Sequence, residues 1–196
     1  KQYLHKEDTV TYAINIRTGK QRQITLPTTP KQNTPHAILK GNNIAWLTAD
    51  SVEIPITAYD DKNIVCGQAV SRNEFGCMHG LFPSPDNSRL GFYVKDESHV
   101  STFPLLDITT RTGSANNIKY PMVGMPSEQL KFGVYDVAKN QTIYLDVTDF
   151  DEERYLTNPA WSPDSKTIYI QVMNREQKEV HLNAYDASTG DFISTL

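Results

Sequence analysis

FPSPDNSRLGFYV, residues 82–94, and AWSPDSKTIYIQV, residues 160–172, are one phrase written twice. An aromatic or a proline precedes Ser-Pro-Asp, and a polar turn and a run of β-formers follow. Proline presets φ at a turn position and aspartate bonds nearby backbone, so the phrase predicts a tight entry into a strand. A second phrase closes each unit: YAINIRTGKQRQIT (12–25), VYDVAKNQTIYL (134–145) and AYDASTGDFIST (184–195). Each is a run, a turn with Gly or Asn, and a run, which predicts a β-hairpin. Ser162 of the first phrase and Asp186 of the second are 24 positions apart. A unit of about four strands over roughly 40–50 residues is a propeller blade. KGNNIAWLTADSVEI (40–54) reads as a degenerate entry phrase of a further unit.

The rest of the chain agrees with this reading. Runs rich in Ile, Val, Tyr, Thr and Phe alternate with Gly, Pro, Asn and Asp, and helical periodicity is scarce. Strands are expected at 11–16, 22–26, 43–48, 51–56, 89–95, 130–137, 141–147, 166–173, 179–186 and 191–195. The fold class is therefore all-β: a partial β-propeller of about four blades of four-stranded antiparallel sheet, the first incomplete. One blade is stretched by residues 96–129, which contain the strand-like PLLDITTR and a Pro-, Met- and Gly-rich segment. A long insertion in a repeat is usually functional or covers a neighbouring surface.

Several function classes fall away. With 19 basic and 23 acidic residues, net charge -4, the chain lacks the basic excess of a nucleic-acid binder. No run of 18 apolar residues offers a membrane span. The polar start KQYLHKEDTV lacks Met and has no apolar signal region, which reads as a trimmed chain or a fragment. No Gly-x-Ser-x-Gly elbow occurs, and GMPSEQ, the nearest look-alike, lacks its second Gly. No catalytic residue is read in the chain. The five histidines have neither i, i+4 partners nor cysteines at ligand spacing, so no metal is expected. DFDEE (149–153) lacks calcium-loop spacing and reads as a solvated loop between blades. There is no Gly-rich phosphate loop or dinucleotide fingerprint, and no cofactor is expected. Cys66 and Cys77 read as two small buried thiols, with a disulfide as the alternative should the protein be exported.

One stretch interrupts the strand pattern. SRNEFG (71–76) places Glu74 between Asn73 and Phe75-Gly76, directly before a Ser-Pro-Asp phrase. A solvated loop acid is the ordinary reading. Loops on a rigid β scaffold also carry binding residues, and a partly desolvated carboxylate is a good receptor for an ammonium group. His79 is close enough in sequence to line the same site, although an ordinary turn histidine is the simpler reading.

Five stretches together carry a family resemblance: VCGQAVSRNEFG (65–76), GLFPSPDNSRLGFYVKDESHV (80–100), FPLLDITTRTG (103–113), NIKYPMVGM (117–125) and LTNPAWSPDSKTIYI (156–170). The chain resembles the N-terminal β-propeller of bacterial dipeptidyl peptidase IV-like enzymes of the prolyl oligopeptidase family, especially those of the Bacteroides group. The resemblance implies an eight-bladed propeller joined to an α/β-hydrolase domain, with residues 1–196 forming roughly its middle blades. It implies removal of dipeptides from peptide N-termini and a propeller that limits access. It also implies acidic residues that grip the substrate's free amine, an exported or periplasmic parent, and a homodimer. By position the amine-binding acid falls on Glu74. Asn73 stands where many members carry a second acid, and an amide accepts a hydrogen bond without bringing charge. Tyr3-Leu4-His5 stands where members show aromatic-Arg-His, and Leu4 cannot make the contact that the arginine makes. These departures keep a second reading open: a non-enzymatic propeller module that binds peptides or proteins.

Overall fold

Both Ser-Pro-Asp phrases fold into the same hydrogen-bonded turn. Ser84 Oγ donates to Asp86 Oδ1, and Ser162 Oγ to Asp164 Oδ1, each at 2.6 Å. Each serine oxygen also accepts the N–H that opens the following strand, from Arg89 at 3.0 Å and from Thr167 at 2.9 Å. The serine hydroxyls are the leading cause that holds both carboxyls below the usual carboxylate range. The turn satisfies its own backbone, so it forms wherever the phrase is written.

The computed structural model describes residues 2–7, 10–15, 17–24, 34–151 and 153–196, with the backbone alone at 2–14 and 22–24. Ile16, Thr25 and Leu26, at the ends of two expected strands, and Glu152 of the acidic run lie outside the described residues. The chain divides into two units, 1–34 and 35–196. The first holds an antiparallel meander of β1 (Gln2–Glu7), β2 (Val10–Asn15) and β3 (Gln21–Ile24). Asn15 Oδ1 caps the β2–β3 turn by accepting the N–H groups of Arg17 and Thr18.

The second unit is built from antiparallel sheets of a partial propeller. β4 (His36–Lys40), β5 (Asn43–Leu47) and β6 (Glu53–Pro55) form one sheet in sequence order. The next contains β7 (Ile64–Cys66), β8 (Leu81–Pro83), β9 (Arg89–Asp96), β12 (Gln129–Asp136) and β13 (Gln141–Tyr144). The insertion forms a separate hairpin, β10 (Thr102–Asp107) with β11 (Ser114–Lys119). The last sheet runs β14 (Tyr155–Trp161), β15 (Thr167–Met173), β16 (Val180–Asp186) and β17 (Phe192–Thr195) in order. No helix of the described residues is long and apolar enough to cross a membrane.

Strand alternation on β9 divides two cores. Leu90, Phe92 and Val94 join Ile44, Trp46, Cys66 and Tyr135 on one side. Tyr93 joins Phe132, Val134, Leu156, Ile168, Ile170, Val172 and Tyr185 on the other. Both faces of this sheet are therefore buried, and each fully buried aromatic contributes about 1.5–3 kcal/mol. Gly133 is part of this packing, because a Cβ there would stand 2.6 Å from Phe92 Cζ. The two repeated phrases also bond to each other. Trp161 Nε1–H donates to the Phe82 carbonyl at 2.9 Å, and Arg89 Nη1 donates to the Ser165 carbonyl at 2.9 Å.

The cysteines are both buried and unpaired, in keeping with small buried thiols, and burial raises the Cys66 thiol pKa. The acidic run departs from the solvated-loop expectation. Asp151 is exposed, but Asp149 and Glu153 are half-buried and bonded. Asp149 accepts from Asn183 Nδ2 at 2.7 Å and meets His181 Nδ1 at 2.6 Å. Glu153 pairs with Arg175 at 3.5 Å.

Candidate functional site

The edge of β9 that holds Glu74 is shared by two short strands. Cys66 of β7 pairs with Val94, and Leu81 of β8 pairs with Phe92. Two positions on β9 only two residues apart are thus met by residues far apart in sequence, and residues 67–80 loop out between them. The following blade shows the simpler form of this junction. There Leu156 pairs with Val172, and a bulge after Thr157 absorbs the register shift. The Glu74 segment is therefore an excursion placed where its neighbour has only a bulge.

Two backbone bonds to Tyr93 close the neck of this loop. Gly67 N–H donates to the Tyr93 carbonyl at 2.8 Å, and Tyr93 N–H donates to the Gly80 carbonyl at 3.1 Å. Gly67 has φ +68°, and a Cβ on Gly80 would lie 2.2 Å from the Gln68 carbonyl oxygen. A closed neck with a compact tip is the architecture of an Ω-loop.

The tip is residues 71–76. Ser71, Arg72, Asn73 and Phe75 all have φ between 50° and 66°, in the left-handed region, while Glu74 is extended at φ -63°, ψ 164°. Each non-glycine residue held left-handed costs about 1–2 kcal/mol, so the turn needs external ties. Four of its residues are tied to groups outside the tip. Ser71 N–H donates to Glu128 Oε1 at 2.6 Å. Arg72 Nη1 donates to the Lys119 carbonyl at 2.9 Å, and its guanidinium lies 5.0 Å from the Tyr120 ring centre. Asn73 Nδ2 donates to Met78 Sδ at 3.5 Å. Phe75 meets Tyr155 edge to face at 5.2 Å.

Glu74 lines a cleft of about 130 Å³ together with Arg72, Glu97, Lys119, Tyr120, Glu128 and Arg175, among others. The cations there are engaged elsewhere. Arg72 serves the Lys119 carbonyl and Tyr120, Lys119 Nζ donates to the Val100 carbonyl at 3.0 Å, and Arg175 pairs with Glu153 and bonds the Tyr155 hydroxyl. Glu97 pairs with Lys95 at 2.9 Å. The exposed Glu74 carboxylate enters no ion pair among the described residues, so its charge is available to a ligand.

Asn73 is exposed and adjoins Glu74 on the turn, with its amide nitrogen directed at Met78 and its side chain outside the cleft lining. His79 borders other hollows with Met78 and does not line the Glu74 cleft. Leu4 sits on β1 opposite Ala13, and its side chain lies outside the described residues. Glu97, Lys119, Tyr120, Glu128, Tyr155 and Arg175 were not legible as neighbours of Glu74. Only the position of Glu128, directly before a strand, sets it apart in the sequence. Groups of three or more His, Cys, Asp or Glu able to hold a metal are absent among the described residues.

Residues 4–195 match the family model described as dipeptidyl peptidase IV (DPP IV) N-terminal region. A crystal structure described as a dipeptidyl aminopeptidase IV of Bacteroides ovatus is 36% identical, with a TM-score of 0.68, covering 100% of this chain and 28% of that one. Dipeptidyl peptidase 4 of Porphyromonas gingivalis superposes with a TM-score of 0.69 over 94% of this chain and 29% of its own, at 19% identity, a likeness of fold. A curated relative, described as dipeptidyl-aminopeptidase B of Pyrenophora tritici-repentis, is 29% identical over 128 residues, 57% of this chain. The chain spans 14% of that relative's length.

Proposed function

We propose, because this chain belongs to the family of dipeptidyl peptidase IV N-terminal regions, that it is the propeller segment of a dipeptidyl peptidase IV-like serine exopeptidase. In this reading residues 1–196 gate access to a hydrolase domain of the same full-length polypeptide and bind the free N-terminus of peptide substrates. The observation that carries the reading is Glu74: a carboxylate in no ion pair among the described residues, on a closed loop, lining a cleft whose cations are already bonded. An ammonium group entering that cleft would gain charge-assisted hydrogen bonds from Glu74. Asn73, beside it, brings no charge and lies outside the cleft lining, so a single carboxylate carries the attraction. The parent is proposed to be exported, to the periplasm in a Gram-negative cell. It is also proposed to form a homodimer, which the mass of the full-length protein in solution would test.

In the full-length protein, Glu74→Ala is expected to lower kcat/KM on an Xaa-Pro substrate about 10- to 100-fold, the worth of a charge-assisted bond to the substrate amine. Asp151→Ala, at an exposed acid of the other acidic loop, is expected to stay within about twofold. Equal and small effects of the two substitutions would overturn the role of Glu74.

Asn73, in the place of a second acid, favours the second reading, a non-enzymatic propeller that binds peptides or proteins. Full-length protein that binds Xaa-Pro peptides through Glu74 without turning them over would establish it. A Gly-x-Ser-x-Gly elbow in the rest of the polypeptide, with turnover, would dismiss it.

A further inference from the structure

Glu128 stands just before β12, at the end of the inserted segment, and its one hydrogen bond among the described residues reaches back to the Glu74 loop. Its Oε1 accepts the N–H of Ser71 at 2.6 Å, from 57 residues away in sequence. Ser71 is the first of the left-handed residues, so this N–H sets the direction in which the turn leaves the neck. The same inserted segment holds the next residue of the turn, through the Lys119 carbonyl and the Tyr120 ring on Arg72. We infer that Glu128 is a positioning residue for Glu74: its carboxylate fixes the Ser71 end of the turn and thereby aims Glu74 into the cleft. The inference rests on the amine-binding reading of Glu74, and it gives the insertion at 96–129 a part in substrate binding.

A packing role alone would predict something different. Burial raises the Glu128 carboxyl above the ordinary carboxylate range, opposed by the Ser71 N–H and by Lys95 and Arg72, and reinforced by Glu97. Tyr155 and Arg175, with Glu153 paired to Arg175, face the same cleft from the following blade. A group with a raised folded pKa stabilises the fold most below its unfolded pKa, and that advantage is lost as pH rises through the folded value. Stability therefore falls as pH rises from the unfolded value toward the raised folded one. Retaining Glu128 trades stability for the geometry of the turn, and a glutamine, which keeps the acceptor oxygen, should not lower stability.

The test uses the full-length protein, a free-amine Xaa-Pro substrate, and the variants Glu128→Ala, Glu128→Gln and Glu74→Ala. Glu128→Ala removes the acceptor and is expected to raise KM about tenfold with kcat within about twofold. Glu128→Gln keeps an acceptor oxygen without the charge, and is expected to raise KM about threefold with a Tm equal to or above that of the parent. In the Glu74→Ala background, Glu128→Ala should change KM less than about twofold, because the effect passes through Glu74. Glu128 variants that leave KM unchanged while Glu74→Ala raises it would overturn the positioning role alone. So would an undiminished Glu128 effect in the Glu74→Ala background. If Glu74→Ala itself leaves KM unchanged, the amine-binding reading fails, and the inference with it. Should Glu128→Ala not fold, Glu128→Gln decides by the same comparison.

Discussion

At the scale of single residues, the Glu74 loop depends on a position with no side chain. Gly80 closes the neck against the Gln68 backbone, where a Cβ would find an oxygen at 2.2 Å. Backbone cannot move aside as the end of a flexible side chain can. Gly80→Ala is therefore expected to cost about 3 kcal/mol, at the upper end for a single substitution. It should also speed amide exchange across residues 67–80. Gly76→Ala is the control: open space surrounds it, its φ is +76°, and about 1 kcal/mol is expected from backbone strain. Equal Tm losses in the two variants would contradict the closed neck. Glu74 itself was legible in the sequence, because an acid flanked by Asn and Phe-Gly breaks a strand pattern at a visible place. Glu128 was not, because its partner is 57 residues away and the contact exists only once the insertion has folded back.

At the scale of elements, the strands read correctly from sequence are those with β-branched and aromatic residues in alternation, such as β9, β12, β15 and β16. The strands missed are β1, β4, β7, β8, β11 and β14, and the last four are short or chemically atypical. β7 and β8 have three residues each, β11 is the polar SANNIK, and β14 contains Asn158-Pro159 at its bulge. Their pairing is dictated by the neighbouring strand rather than by their own propensity. The missed β7 and β8 are the strands that reveal the looped-out site, so the expected fold came without its most informative edge. The two blades around this edge share a buried bond: the Tyr93 hydroxyl of β9 donates to the Leu156 carbonyl of β14 at 2.9 Å. Tyr93→Phe keeps the ring and leaves that carbonyl one partner short, at an expected cost of about 1–2 kcal/mol in denaturant unfolding. An unchanged midpoint would mean that the bond contributes nothing net.

At the scale of the molecule, the repeated phrases set the number and order of blades, and the residues between them set what the blades can do. Asp149 of the acidic run braces the last blade, because it and Glu179 both hold His181 of β16. Hydrogen bonds to these carboxylates, that to Asp149 foremost, raise the His181 pKa above its ordinary value of 6.5. The stabilisation is fully present below pH 6.5 and is lost as pH rises through the higher folded value. The Tm difference between the parent and His181→Gln should therefore be largest near pH 6 and shrink toward pH 8. A difference that grows with pH would reverse the assignment. The central claim is that the Glu74 turn recognises a free amine, and the most direct measurement is calorimetric titration of the full-length protein with an Xaa-Pro peptide and with its N-acetylated form. The account predicts that the free peptide binds at least about tenfold more tightly than the acetylated one, and that Glu74→Gln abolishes the difference. Equal affinity for the two peptides in the unmodified protein would contradict it.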